Sequence, residues 1–268
     1  MSAPRVLVTG AAGAFGTAVS AALRERGAEV AGIDLAGEAT QGAHIVACDI
    51  TDPEAAAGGV ARAAEMLGGL DVLVNNAGLG GPASAGEAPG ERARQIIEVN
   101  LFGAWNVTAA AIDRLVASRG RVVFVGSRMA FLGLPLGAAY AVSKRGLTAY
   151  ADCLRAEYGT HVKVACVHPA MVRTPIHDAT TQAGLSLEGV SSEEPIEGVV
   201  DRLVAACLDP SPRRDAAVTR AGALQLLAAR HLPSVVDRVV ARQVRKRARA
   251  GAFDDAPLAA GLRERHGR

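Results

Sequence analysis

Short runs of consecutive apolar residues alternate along the chain with longer stretches whose apolar positions recur every three or four residues. The unbroken runs are Arg5–Thr9, Glu29–Asp34, His44–Asp49, Leu70–Val74, Arg121–Val125 and Val162–Val167, each ending at or just before a glycine or polar residue. A run without alternation is apolar on both faces, as in a strand that helices cover from both sides. Between the runs, Ala14 to Arg26 places Phe15, Val19, Ala22 and Leu23 on one helical face and stops at Gly27. Asp52-Pro53 opens a second helix to about Leu67, with proline at the first helical position. Glu91–Ser118 reads as one or two helices and Ala138–Glu157 as another. Strand and helix alternate throughout, which predicts an α/β fold of Rossmann type: a doubly wound parallel sheet in three α/β/α layers, built as a single domain.

Half of the 268 residues are hydrophobic, and the mean hydropathy is +0.20. A chain of this length buries roughly 70–75% of its unfolded surface, so it needs neither disulfide nor metal to fold. No uncharged apolar stretch approaches the ~18 residues of a transmembrane helix, and the apolar run after Arg5 is too short for a signal peptide. Cys48, Cys153, Cys166 and Cys207 lie far apart with no Cys-x-x-Cys pair. They read as reduced, mostly buried thiols of a cytoplasmic protein, and no His/Cys spacing suggests a metal. Charge divides the chain: residues 230–268 hold ten Arg/Lys against four Asp/Glu, while the preceding residues hold 19 against 23. This predicts a catalytic unit over 1–229 and a basic, partly helical extension over 230–268. Leu232, Val235, Val236, Val239, Val240 and Val244 take helical spacing there, with Arg238, Arg242, Arg245, Lys246 and Arg249 largely opposite. Such a helix packs on the body or on a second subunit. It follows every candidate catalytic residue, so it is expected to matter for assembly before chemistry. With Phe253 as its single aromatic, it does not suggest nucleic-acid binding.

Ligands of a doubly wound sheet bind beyond the carboxyl ends of its strands. Thr9, Asp34, Asp49, Asn75, Ser127 and Pro169 all fall there. Thr9-Gly10-Ala11-Ala12-Gly13-Ala14-Phe15-Gly16 joins the first strand to the first helix, where glycines let the backbone approach a pyrophosphate. Asp34 ends the second strand, where a carboxylate can accept from the hydroxyls of an adenosine ribose. Tyr140 and Lys144 stand one helical turn apart. An ammonium beside a phenol favours the phenolate, which makes tyrosine a usable base. Ser127, just past the fifth strand, can hold a substrate oxygen beside that phenol.

On these residues the chain resembles the short-chain dehydrogenase/reductase family, in its compact single-domain branch, over about residues 5–205. The resemblance implies catalytic roles for Ser127, Tyr140, Lys144 and Asn100. Tyr140 exchanges a proton with the substrate oxygen, Ser127 polarises that oxygen, Lys144 lowers the phenol pKa and holds the nicotinamide ribose, and Asn100 helps to hold a relay water. It implies cofactor contacts from Gly10, Gly13, Ala14, Phe15, Gly16, Asp34, Asp49, Ile50, Asn76, Ala77, Gly78, Tyr140, Lys144, Pro169, Val172 and Thr174. Asp34 favours NAD, because a carboxylate repels the 2′-phosphate of NADP and neither Leu35 nor Ala36 offsets it.

Three positions depart from the compact branch. Glycine stands at Gly13 and not at residue 14, a spacing shared with the longer nucleotide-sugar branch; Ala170 follows Pro169 where glycine is usual; and the ending typical of tetrameric members is missing. Met129–Leu136, Met171, Ile176, Leu185 and Leu187 suggest an apolar pocket, with residues 176–194 as a lid. The expected reaction is interconversion of a hydrophobic secondary alcohol and its ketone, alicyclic, terpenoid or steroid-like, by a homodimer or homotetramer. His168 and His177 flank the site as structural residues. The alternatives are a dinucleotide-sensing binding protein without turnover and an epimerase or dehydratase of the longer branch.

Overall fold

A computed structural model of the chain describes residues 3–36, 44–185 and 193–266. Its seven strands are β1 (Arg5–Thr9), β2 (Glu29–Asp34), β3 (His44–Ala47), β4 (Val72–Asn75), β5 (Arg121–Val125), β6 (Lys163–His168) and β7 (Asp215–Ala217). All pair in parallel, in the order β3-β2-β1-β4-β5-β6-β7. The helices are α1 (Ala14–Glu25), α2 (Pro53–Leu67), α3 (Glu91–Ile97), α4 (Ala104–Ala117), α5 (Ala138–Tyr158), α6 (Asp178–Gln182), α7 (Ile196–Leu208), α8 (Arg220–His231), α9 (Pro233–Arg249) and α10 (Ala260–His266). No helix among the described residues is long and apolar enough to cross a membrane.

The apolar runs are continuous because successive residues of each strand enter opposite cores. Leu7, Ile33, Leu73, Val122 and Phe124 pack on one face with residues of α2, α4 and α5. Val6, Val8, Val30, Val72, Val74 and Val123 pack on the other with α1 and α7. The three-layer, single-domain architecture expected from the sequence is therefore present. Local signals set the ends of α2: the Asp52 carboxylate accepts from the Glu54 and Ala55 amides, and Gly68 closes the helix in the left-handed region.

Among the elements outside the six-strand reading are β7 and α7. Strand β7 has three residues, Asp-Ala-Ala, too few and too small to form an apolar run. Helix α7 carries a legible stripe of Val199, Val200, Leu203, Val204 and Cys207 that the strand-centred reading passed over. The stretch Glu91–Ser118 resolves into α3 and α4, joined by a π-helical turn over Glu98–Gly103. The four cysteines are free; Cys153 is exposed and the other three are buried. Leu187 and part of the expected lid lie outside the described residues.

At the first turn backbone packs directly on backbone. Gly10 has φ +64°, and a Cβ at Gly16 would lie 2.0 Å from the Gly10 carbonyl oxygen. No side chain fits there, so α1 starts directly beneath the β1 turn. Gly16→Ala is expected to lower Tm by on the order of 5–10 °C, measured by thermal unfolding. An unchanged Tm would mean that the turn relaxes freely.

Candidate active site

The strand order changes direction between β1 and β4, and a crevice opens at their carboxyl ends. Thr9 and Asn76 tie the two strand ends together. The Thr9 hydroxyl accepts from the Asn76 and Ala77 amides at 3.0 and 3.1 Å, and Asn76 Nδ2 donates to the Thr9 and Gly10 carbonyls at 2.9 and 3.1 Å. Asp34 accepts from the Ala12 amide at 2.9 Å, so the β2 carboxylate is held against the glycine turn. Asn75 faces away from the crevice and donates to the buried Thr108 hydroxyl at 2.8 Å.

The resulting cleft is about 710 Å³. Of the expected site residues, Gly10, Gly13, Ala14, Phe15, Asp34, Asp49, Ile50, Asn76, Ala77, Gly78, Ser127, Tyr140, Lys144, Pro169, Val172 and Thr174 line it. Gly16 stands beneath the turn, and Asn100 is buried behind the wall. The Asn100 side chain is fully engaged there: it accepts from the Leu79 amide at 2.7 Å and donates to the Leu79 carbonyl and the Ser143 hydroxyl, both at 3.0 Å. Its visible work is to fasten the Gly78–Leu79 wall to α5, from within the π-helical turn. His168 is also away from the cleft, fully buried and 3.0 Å from Asp215. Cys166, His168 and Asp215 gather there within 4.8 Å, but Arg155 and Arg214 reach the same groups and repel a cation.

Ser127, Tyr140 and Lys144 converge in the cleft. Ser127 lines the cleft beside Tyr140, and its oxygen accepts from the Met129 amide at 3.1 Å. Lys144 is buried; its Nζ donates to the Val125 carbonyl at 2.8 Å and lies 5.8 Å from the Tyr140 ring centre. Burial raises the Tyr140 pKa, while the Ser127 side chain acts to lower it. Burial also pushes the Lys144 ammonium down to about 8. The sequence expectation was that the ammonium would lower the phenol. In the chain by itself desolvation dominates both groups, because both sit on the inner wall.

Two buried residues at the site went unnoticed in the sequence. Arg128, next to Ser127, pairs with Glu194 at 3.5 Å, with side chains 3% and 2% exposed. Arg128 also donates to Gln225 at 2.8 Å, and Glu194 accepts from the Ala170 amide at 2.8 Å. The pair clamps the turn carrying Ser127 to the segment after β6. No spacing rule joins residues so far apart in the chain.

The extension is closer to the chemistry than its position suggests. A lobe of about 80 Å³ beside Tyr140 is walled by Met129, Leu134, Ile176 and, from α9, Val240, Val244 and Arg247. Phe253, Ala256 and Ala259 pack with Leu136 and Leu185 and hold the tail on the body. The tail helix packs on the body, as its spacing suggests: Val240 and Val244 turn inward, whereas Leu232, Val235 and Val239 stay exposed.

The family model described as short chain dehydrogenase matches residues 4–184. The chain belongs to the short-chain dehydrogenase family. It is 37% identical over 212 residues to 1-deoxy-11-beta-hydroxypentalenate dehydrogenase of Streptomyces exfoliatus, covering 72% of this chain and 77% of that protein. It is 32% identical over 186 residues to dehydrogenase/reductase SDR family member 7B of Bos taurus, covering 69% and 54%. A short-chain dehydrogenase from Burkholderia cenocepacia J2315, solved in complex with NADP, superposes with a TM-score of 0.76 at 26% identity, covering 89% of this chain and 98% of that one. The family binds a nicotinamide dinucleotide and carries out oxidation and reduction. The family match ends before α7 to α10, so the α9 wall lies outside it.

The cleft fits such a dinucleotide. The glycine turn leaves no room for a side chain at Gly16, and the amino end of α1 faces the same cleft as Asp34. One consequence can be read without any ligand. Between pH 8 and 10.5 the unfolded Lys144 holds its proton and the folded one releases it, so folding stability gains as pH rises through that window. The Tm of the parent minus that of Lys144→Met is therefore expected to shift upward between pH 7 and pH 10. A difference independent of pH would place Lys144 in contact with solvent.

Proposed function

We propose that this short-chain dehydrogenase is an NAD-preferring alcohol dehydrogenase that interconverts a hydrophobic, terpenoid-like secondary alcohol and its ketone. The observation that carries the reading is the meeting of Ser127, Tyr140 and Lys144 in one cleft, opposite the glycine turn. The glycine turn, Asp34, Lys144 and the Pro169–Thr174 segment would hold the dinucleotide. When bound, its nicotinamide supplies the hydride acceptor or donor for the substrate carbon.

The protein's own residues handle the oxygen and its proton. Ser127 holds the substrate oxygen and polarises it, and Tyr140 takes the hydroxyl proton in oxidation or returns it in reduction. Lys144 keeps a positive charge near the phenol, which favours the phenolate. Its bond to the Val125 carbonyl fixes where that charge sits. Asn100 serves as a positioning residue for the Leu79 wall and for Ser143, one helical turn from Tyr140. The apolar lobe excludes water and favours a carbocyclic substrate, a reading that the name of the Streptomyces relatives supports.

Asp34 carries the cofactor preference. Its carboxylate is already oriented by Ala12 and suits a free ribose 2′-hydroxyl, while it repels a phosphate there. We further read the chain as a homo-oligomer. Phe102, Trp105 and Val142 are 44%, 48% and 57% exposed around α4 and α5, a face that a second copy would cover.

Tyr140→Phe is expected to keep dinucleotide affinity and lose ~10²–10⁴-fold in turnover, measured on a panel of secondary alcohols. Turnover within threefold of the parent would overturn the role of Tyr140. The parent is expected to favour NAD over NADP by at least ~10-fold in kcat/KM, about 1.4 kcal/mol. Asp34→Ala with Leu35→Arg should relax or reverse that ratio. A parent that prefers NADP would show that Asp34 does not face the ribose.

A further inference from the structure

A second cavity, of about 310 Å³, opens where β6, β7, α7, α8 and the turn after Ser127 meet. It shares no lining residue with the cleft that holds Ser127, Tyr140 and Lys144. Phe131, at the end of the turn that Ser127 begins, lines it together with His168, the last residue of β6. The two rings meet edge to face at 5.2 Å, which fixes one side of the cavity.

The charge around this space is one-sided. Arg202, Arg213, Arg220 and Arg230 line it, against one carboxylate, that of Asp215, among the described lining residues. That carboxylate is already shared: its oxygens lie 3.0 Å from His168 Nε2, 3.4 Å from Arg214 Nε and 3.5 Å from Arg230. Arg202 donates to the Val218 carbonyl at 3.5 Å. Arg213 and Arg220 are exposed, and neither has a hydrogen bond or ion pair with another described residue. Four guanidiniums against one carboxylate leave three positive charges uncompensated. Like charges around one cavity raise its potential and favour an anion there. The side chains are all arginine, whose paired N–H donors match phosphate oxygens two at a time. The remaining wall is apolar, with Phe131, Ala223, Leu226 and Leu227 on the same cavity.

We propose that this cavity binds a small phosphate monoester with an apolar arm. Arg213 and Arg220, having no partner in the fold, turn onto the phosphate, and Arg202 and Arg230 add to the field that holds it. Phe131, Leu226 and Leu227 cover the arm; Leu227, 57% exposed, gains the most cover. A dianion answers three positive charges better than a monoanion does. The volume stands at the small end of ligand pockets and suits a single ring with its phosphate. The site is independent of the reaction at Tyr140, and Arg202 to Arg230 all follow the stretch that the family model matches.

The test is calorimetric titration of phenyl phosphate into the full chain saturated with NADH or NADPH, which keeps the probe out of the dinucleotide cleft. One equivalent is expected to bind, with inorganic phosphate at least ~10-fold weaker. Arg213→Gln with Arg220→Gln is expected to weaken phenyl phosphate at least ~10-fold and to leave Tm unchanged, since both side chains are exposed and unpaired. No binding by the parent up to ~10 mM, inorganic phosphate bound as tightly, or an affinity that the double variant does not change would each overturn the proposal. Pelleting with phosphatidylcholine vesicles that contain phosphatidic acid separates the two sources of such a group. Protein carried down by the vesicles, and released by the double variant, assigns a lipid headgroup; protein left in solution while phenyl phosphate binds assigns a free ester.

Discussion

The contact between the α1 glycine and the carbonyl that precedes it governs the geometry of the cleft. A Cβ at Gly16 would come within 2.0 Å of the Gly10 oxygen, so the chain turns from β1 into α1 with bare backbone against bare backbone. Thr9 and Asn76 then lock that turn to the end of β4, and Asp34 is drawn onto it from β2. Three strand ends are brought together by this one approach. The crevice at the switch point of the sheet is the space left between them.

On the far side of the crevice the polar groups are held in a dry wall. Desolvation weakens the charge on Lys144 and opposes ionisation of Tyr140, and a specific group stands beside each. For Lys144 that group is the Val125 carbonyl, and for Tyr140 it is the Ser127 hydroxyl. The Arg128–Glu194 pair does comparable work one layer behind. It joins the turn after β5 to the segment after β6, so that Ser127 and Pro169 keep their relation across the cleft. Breaking such a buried pair leaves an uncompensated charge, which makes the linkage stiff.

The tail completes the site from the other direction. Phe253, Ala256 and Ala259 anchor it on Leu136 and Leu185, and α9 lies over the lobe beside Tyr140. Its two faces are used differently. Val240, Val244 and Arg247 turn to the lobe, while Leu232, Val235 and Val239 remain exposed beside a row of basic residues. The fold thus joins a cleft built at the strand ends to a wall that the tail contributes.

The sequence by itself determined the alternation of strands and helices, the glycine turn, the Asp34 end of β2 and the Tyr140–Lys144 spacing. All of these are local: a buried strand must be an apolar run, a tight turn must be glycine, and one helical turn is four residues. It also held signals that went unread, such as the α7 stripe and the place of Arg247 on the same face of α9 as Val240 and Val244. Other features were not written locally at all. Strand β7 forms because β6 offers it a paired edge, and three small residues carry no pattern of their own. Glu194 meets Arg128, Asn100 turns to Leu79 instead of the cleft, and the tail reaches Tyr140 only once distant segments pack. Such contacts depend on which surfaces remain uncovered when the sheet and its helices close. That is a property of the assembled fold, and no short stretch of chain contains it.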